Sequence, residues 1–71
     1  MDKYRLNAKF VRETLARNNK PLKWLTLKLK TTSGYMAQLL NGTRCPSPEM
    51  RSKIMEGLGK KNFDDLFTRK R

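Results

Sequence analysis

The sequence has little of what catalytic and metal sites require. Its 71 residues include no histidine and a single cysteine, Cys45. A catalytic triad centred on histidine, a disulfide within the chain and a zinc site of histidine and cysteine are therefore excluded. A lone thiol without a histidine partner also has no catalytic setting. We therefore expect a binding protein rather than an enzyme, with no metal and no cofactor.

Long apolar runs are missing as well. Apolar residues occur in short groups such as Trp24-Leu25 and Leu39-Leu40, whereas a membrane-spanning helix needs about 20 consecutive apolar residues. The same pattern leaves no apolar core for a signal peptide. We therefore expect a cytoplasmic protein. We also expect one domain with a small core, because a chain of this size buries only about 60% of the surface that its unfolded form exposes.

Acidic residues are scarce, and their distribution is uneven. Six Asp and Glu stand against 17 Lys and Arg, which gives a formal net charge of +11. Residues 14–48 contain six basic residues and no acid, and residues 31–43 within them carry no charge of either sign. Net charge alone allows nucleic acid, an anionic membrane or an acidic protein as the partner. An uncharged segment framed by cations favours DNA, where cations neutralise phosphates and neutral groups meet base edges. The alternative is that the neutral segment only packs against the core.

Apolar spacings of three and four residues, together with capping and stop residues, predict five helices. The predicted helices are 6–18 with Asn7 as N-cap, 22–30 after Pro21, 33–40 before Asn41-Gly42, one from Ser47-Pro48 to Gly59, and a short one capped by Asn62. Residues 25–30 also alternate with period two, so a strand is the competing prediction there. Residues 68–71 are expected to form a loose basic tail.

Residues 21–49 read PLKWLTLKLKTTSGYMAQLLNGTRCPSPE and contain two of these predicted helices, joined by a short turn. The segment resembles the Cro and lambda-repressor type of helix-turn-helix, the XRE family, in its apolar Leu25 and Leu29, its Thr-Thr turn, its LLNG stop and its proline-containing loop. The later NFDDLF resembles the family's short fifth helix. The resemblance covers about residues 6–67 and implies an all-α fold, a compact bundle of four to five helices with a helix-turn-helix, in a single domain 1–71. Thr26 and Lys30 depart from the Ala and Gly usual in the family, and Lys30 is expected to adopt a positive φ at the turn.

The resemblance also implies which residues contact DNA. The face expected to enter the major groove and meet the bases consists of Ser33, Gly34, Ala37 and Gln38, and the Gln38 amide can bond N6 and N7 of adenine together. The residues expected at the DNA backbone are Lys23, Lys28, Lys30, Thr32, Tyr35, Asn41, Thr43 and Arg44. Thr32 and Asn41 are equally explained as helix caps, Tyr35 can pack on neighbouring side chains instead, and Arg44 can reach either the backbone or a base edge.

The function that the resemblance implies is a sequence-specific regulator of transcription that binds double-stranded DNA, most similar to a small phage Cro-type repressor. It would bind an inverted-repeat operator as a homodimer, in the nucleoid of a bacterial or phage-infected cell, without a small-molecule ligand or a membrane. The alternative is a protein-interaction module, such as an antitoxin or anti-activator, that uses Trp24 and Leu27. Those two residues lie off the apolar stripe and either cover neighbouring helices or contact a partner. They also compete with Phe63 and Phe67 as the dimer surface. A membrane-surface peptide is disfavoured by the short, capped helices.

Overall fold

The computed structural model of the protein describes residues 3–70. This part of the chain is mostly helical and contains five helices and one two-stranded sheet. In chain order the elements are β1 (Lys3–Leu6), α1 (Ala8–Arg17), α2 (Leu22–Lys28), α3 (Ser33–Leu40), α4 (Pro48–Leu58), α5 (Phe63–Leu66) and β2 (Phe67–Lys70). The prediction of a small, mainly helical protein is confirmed, but the finer prediction of an all-α fold is not, because the two ends of this part of the chain form a sheet.

The sheet replaces the predicted loose tail. β1 and β2 pair antiparallel, with Leu6 opposite Phe67 and Arg5 opposite Thr68. Leu6 and Phe67 are both buried in the core, and this burial holds the two strands at the bundle. Residues 68–70 are therefore part of a strand, and Arg71, the last residue of the predicted tail, lies outside the described residues. The first predicted helix begins two residues late, at Ala8, because Leu6 belongs to β1.

Helix starts follow the predicted capping residues. The side-chain oxygens of Asn7, Thr32, Ser47 and Asn62 each accept a hydrogen bond from a backbone N–H in the following turn. Each such bond satisfies one of the N–H groups that have no partner inside the helix. The competing strand at 25–30 does not form, since residues up to Lys28 are helical in α2.

The core lies where the helices meet, and α3 is packed against it by one face. Within residues 3–70, the largest fully buried side chains of the core are Val11, Leu25, Met36, Leu39, Ile54 and Leu66. Thr26 is 7% exposed, and its hydroxyl donates to the Leu22 carbonyl at 3.1 Å. A buried hydroxyl with a hydrogen-bond partner costs little, so Thr26 fits the crowded contact between helices.

The connection from α2 to α3 contains the predicted positive φ. Lys30 has a φ of 56°. Its N–H donates to the Leu27 carbonyl at 3.0 Å, and the N–H of Thr31 donates to the Thr26 carbonyl at 3.1 Å. This pair of bonds is the Schellman arrangement, which normally uses glycine at the left-handed position. Lys30 therefore holds a conformation that costs about 1 kcal/mol for a residue with a Cβ.

Candidate nucleic-acid interface

The two faces of α3 differ in burial and chemistry. Met36 and Leu39 are fully buried and fix the helix to the core. On the opposite side four exposed residues form what we call the α3 outer face: Ser33, Gly34, Ala37 and Gln38. A Cβ added at Gly34 would meet no atom within 4 Å. The four predicted base-reading residues are thus brought together on a surface that is uncharged, open and low in relief.

Arg44 reaches this face from the loop after α3. Its Nε donates a hydrogen bond to Oε1 of Gln38 at 3.0 Å. Its backbone N–H donates to the Gln38 carbonyl at 3.2 Å. The guanidinium carbon also lies 5.6 Å from the centre of the Tyr35 ring, within the range of a cation–π contact. Arg44 is therefore positioned at the edge of the α3 outer face, with its charge beside an otherwise neutral surface.

The end of α3 differs from the other long helix ends, and this difference positions Arg44. At three other helix ends the closing N–H belongs to the residue five positions after the carbonyl that accepts it: Lys20 to Leu15, Thr31 to Thr26 and Lys60 to Met55. At the end of α3 the N–H of Arg44 donates to the Gln38 carbonyl, so the donor lies six positions after the acceptor instead of five. The N–H of Thr43 is instead occupied by Oδ1 of Asn41 at 2.8 Å, and Gly42 turns the chain with a φ of 80°.

Of the lysines on α2 and at its end, Lys23 lines the same open cavity as Ser33 of the α3 outer face, whereas Lys28 and Lys30 line a cavity with Glu56 of α4. Lys23, Lys28 and Lys30 are all exposed. The Nζ of Lys28 lies 4.9 Å from the centre of the Trp24 ring, and the Nζ of Lys20 lies 5.4 Å from it. Residues 14–48 contain no acid of their own, and the acid that lines the cavity beside Lys28 and Lys30 is Glu56 of α4.

Trp24 and Leu27, the two residues off the apolar stripe, have different environments. Trp24 is half-buried and packs against the core while two lysines lie over its ring. Leu27 is 65% exposed, the one large apolar side chain within residues 3–70 that is so open. Trp24 thus covers part of the core, whereas Leu27 is exposed and its contact with a partner stays a prediction.

Arg5 is a cation near α3 that sequence reasoning missed. β1 packs against α3, and a Cβ added at Gly42 would lie 3.3 Å from Cδ of Arg5. The exposed Arg5 side chain therefore runs beside the turn that follows α3. The alternation of basic and apolar residues in Lys3–Leu6, which read KYRL, was the available signal, because a period of two indicates a strand.

The residues predicted to contact the DNA backbone differ in whether their side chains already bond to the protein's own backbone. Thr32 and Asn41 each use a side-chain oxygen to cap local backbone, as their residue types predict. Thr43 is exposed in the loop, and Tyr35 is half-buried below Arg44. All eight residues lie within or next to the α2–α3 segment, and their contact with phosphate stays a prediction.

Two classes of site find no support in the described residues. No helix within residues 3–70 is both long enough and apolar enough to cross a bilayer. Over the same residues, no cluster of three His, Cys, Asp or Glu side chains is placed to hold a metal ion.

Comparison with known proteins adds no relative. No family model matches the chain, and no curated protein or solved structure has significant similarity to it.

Proposed function

We propose that the protein is a sequence-specific regulator of transcription that binds double-stranded DNA. In this proposal α2 and α3 form a helix-turn-helix, and α3 lies in the major groove. The observation that supports it most is the α3 outer face, which is open and uncharged and has the cation Arg44 at its edge. An α-helix of about 10–12 Å diameter fits a major groove of about 12 Å width.

The proposed contacts divide into two kinds. Ser33 and Gln38 offer hydrogen-bonding groups to base edges, whereas Gly34 and Ala37 allow close approach or contact with a thymine methyl group. The cations on both sides of α3 neutralise phosphates without reading sequence. The residues assigned to the DNA backbone are Lys23, Lys28, Lys30, Thr32, Tyr35, Asn41 and Thr43, with Arg5 as an addition from β1. Arg44 is assigned to the backbone or to a base edge.

We propose that two copies bind one operator, because a single helix reads only a few base pairs. A homodimer on an inverted repeat places the centres of its half-sites about 34 Å apart, one helical turn of DNA. Phe67 is only 2% exposed and Phe63 packs against Tyr4 with ring centres 4.9 Å apart, so these aromatic residues serve mainly the protomer's own core. Occupation of the operator would repress transcription by blocking the promoter.

Selection of bound sites from a random DNA pool tests the proposal. The purified protein is incubated with random duplexes at fixed salt, and bound molecules are amplified and sequenced through several rounds. We expect an inverted repeat with half-site centres about one helical turn apart. A pool with no enriched sequence after these rounds would contradict sequence-specific binding, and a single unpaired half-site would contradict the dimer.

A second candidate function is a protein-interaction module, and exposed Leu27 favours it. Leu27 borders an open surface cavity of about 420 Å³ whose lining includes Thr26, Thr31 and Ser33. Exposed apolar side chains beside a depression are typical of contacts with a partner protein. Under this alternative the protein binds selected and random DNA with equal affinity, and Leu27→Gln abolishes partner binding without changing DNA affinity. Under the proposed function, Leu27→Gln leaves discrimination between the two DNAs intact.

A further inference from the structure

We propose that Gln38 and Arg44 read DNA as one unit that prefers guanine, rather than the adenine that Gln38 alone would prefer. This inference rests on the proposed function, because it requires that α3 lie in the major groove. Its basis is the hydrogen bond from Nε of Arg44 to Oε1 of Gln38 at 3.0 Å. A base that meets this pair faces the atoms that the bond leaves available.

An adenine contact needs the atom that Arg44 occupies. The major-groove edge of adenine presents the N6 amino donor and the N7 acceptor, so a glutamine reads it by accepting with Oε1 and donating with Nε2. Oε1 has a second lone pair, but an adenine amino group placed there would face the N–H donors of the guanidinium beside it. The bond within the pair therefore disfavours adenine.

The groups left facing outward are donors. Gln38 keeps both hydrogens of Nε2, and Arg44 keeps four of its five N–H groups after giving one to Oε1. Guanine presents two acceptors in the major groove, O6 and N7, and arginine is the side chain that most often bonds them together. The positive charge strengthens such bonds. The pair is thus complementary to guanine and not to adenine.

The position of Arg44 is set before DNA arrives. Its backbone N–H is bound to the Gln38 carbonyl at 3.2 Å, and its guanidinium lies over the Tyr35 ring at 5.6 Å. These contacts restrict a side chain that would otherwise lose many rotamers on binding, and that loss weakens a contact. Tyr35 is therefore a positioning residue for the pair. The backbone bond that ends α3 spans six positions instead of five, and this extra residue in the loop brings Arg44 to Gln38.

The test compares base preference in the wild-type protein and two variants. Sites are selected from a random pool with the wild type, with Arg44→Ala and with Arg17→Ala, and affinities are then measured on duplexes that differ only by guanine or adenine at the position where preference changes. Arg17 is exposed on α1, so its variant loses the same charge away from α3. We expect the wild type and Arg17→Ala to prefer guanine about tenfold, and Arg44→Ala, which frees Oε1, to prefer adenine.

The possible outcomes separate this inference from the proposed function. The selection could yield an inverted repeat whose base preferences are the same for Arg44→Ala as for the wild type at every contacted position. That result would overturn the coupled pair, while the DNA-binding function would stand. A wild-type preference for adenine at the position read by Gln38 would do the same. A pool without any enriched site would overturn both.

A measurement without DNA tests the bond itself. Hydrogen exchange of the arginine Nε–H groups is followed by NMR in the wild type and in Gln38→Ala. We expect the Arg44 Nε–H to exchange several-fold more slowly than that of Arg17 in the wild type, and at a similar rate in Gln38→Ala. Equal exchange rates for both arginines in the wild type would overturn the inference. Far-UV circular dichroism confirms that each variant remains folded.

Discussion

α2 and α3 are adjacent helices of seven and eight residues that share one core, yet their outer sides are opposite in character. α2 presents large side chains, with lysines beside Trp24 and with Leu27 at 65% exposure. α3 presents small, uncharged residues, and the space above Gly34 is open. Long cationic side chains attract a polyanion from a distance and without discrimination, whereas a flat neutral face permits close approach. In the proposed complex, α2 contributes affinity for DNA of any sequence and α3 contributes sequence specificity.

The largest expected effect concerns the cations. If each monomer contacts about six phosphates, affinity should fall roughly a thousandfold between 50 and 200 mM salt, because each neutralised phosphate releases counterions. Fluorescence anisotropy of a labelled duplex measures this slope. Lys28→Ala should reduce the slope by about one, while Lys61→Ala, a matched loss of charge before α5, should leave it unchanged. A flat salt response would remove the electrostatic part of the account.

A smaller effect is expected at Lys30, which joins the two helices. Lys30→Gly should raise the free energy of unfolding by about 1 kcal/mol, because glycine adopts the observed φ of 56° without steric cost. Lys30→Ala loses the same charge and keeps the strain, so it isolates the backbone contribution. Urea denaturation measures both. If Lys30→Gly and Lys30→Ala were equally stable, the left-handed conformation would not be a source of strain. Because both variants lose the same charge, their DNA affinities should fall by equal factors.

The smallest effect on stability is expected at Gly34. Gly34→Ala should stabilise the free protein by about 0.5–1 kcal/mol through helix propensity, since its Cβ meets nothing within 4 Å. The added methyl should weaken operator binding by holding α3 away from the groove. Gly57→Ala on α4 is the matched control, because its Cβ would make only ordinary contacts at 3.6 Å or more. It should stabilise similarly and leave affinity unchanged, and a Gly34→Ala protein that binds as well as wild type would argue against close approach.

Features set by neighbouring residues could be predicted from the sequence, and features set by distant ones could not. The caps at Asn7 and Ser47 and the positive φ at Lys30 follow from local rules about side-chain hydrogen bonds and backbone sterics. The sheet joins Leu6 to Phe67 from opposite ends of the described chain, and no helical periodicity carries that information. A search for alternation at both ends would have raised a strand as a possibility, together with the exposed Arg5.

The grouping of the α3 outer face was predictable because it depends only on helical spacing. The bond between Gln38 and Arg44 was not, because it depends on how the chain closes α3. That closure is decided by Asn41, whose side chain takes the N–H of Thr43 and delays the backbone bond by one residue. The resemblance predicts a DNA contact for Arg44 without indicating that Arg44 would change what Gln38 can accept.

The most direct test of the proposed division between α2 and α3 compares Gln38→Ala and Lys28→Ala on two duplexes, the selected inverted repeat and a scrambled sequence of equal length. The account predicts that Gln38→Ala lowers affinity for the inverted repeat about tenfold and barely changes affinity for the scrambled duplex. Lys28→Ala should lower both by the same factor. Equal losses on the two duplexes for Gln38→Ala would contradict the claim that the α3 outer face selects the sequence.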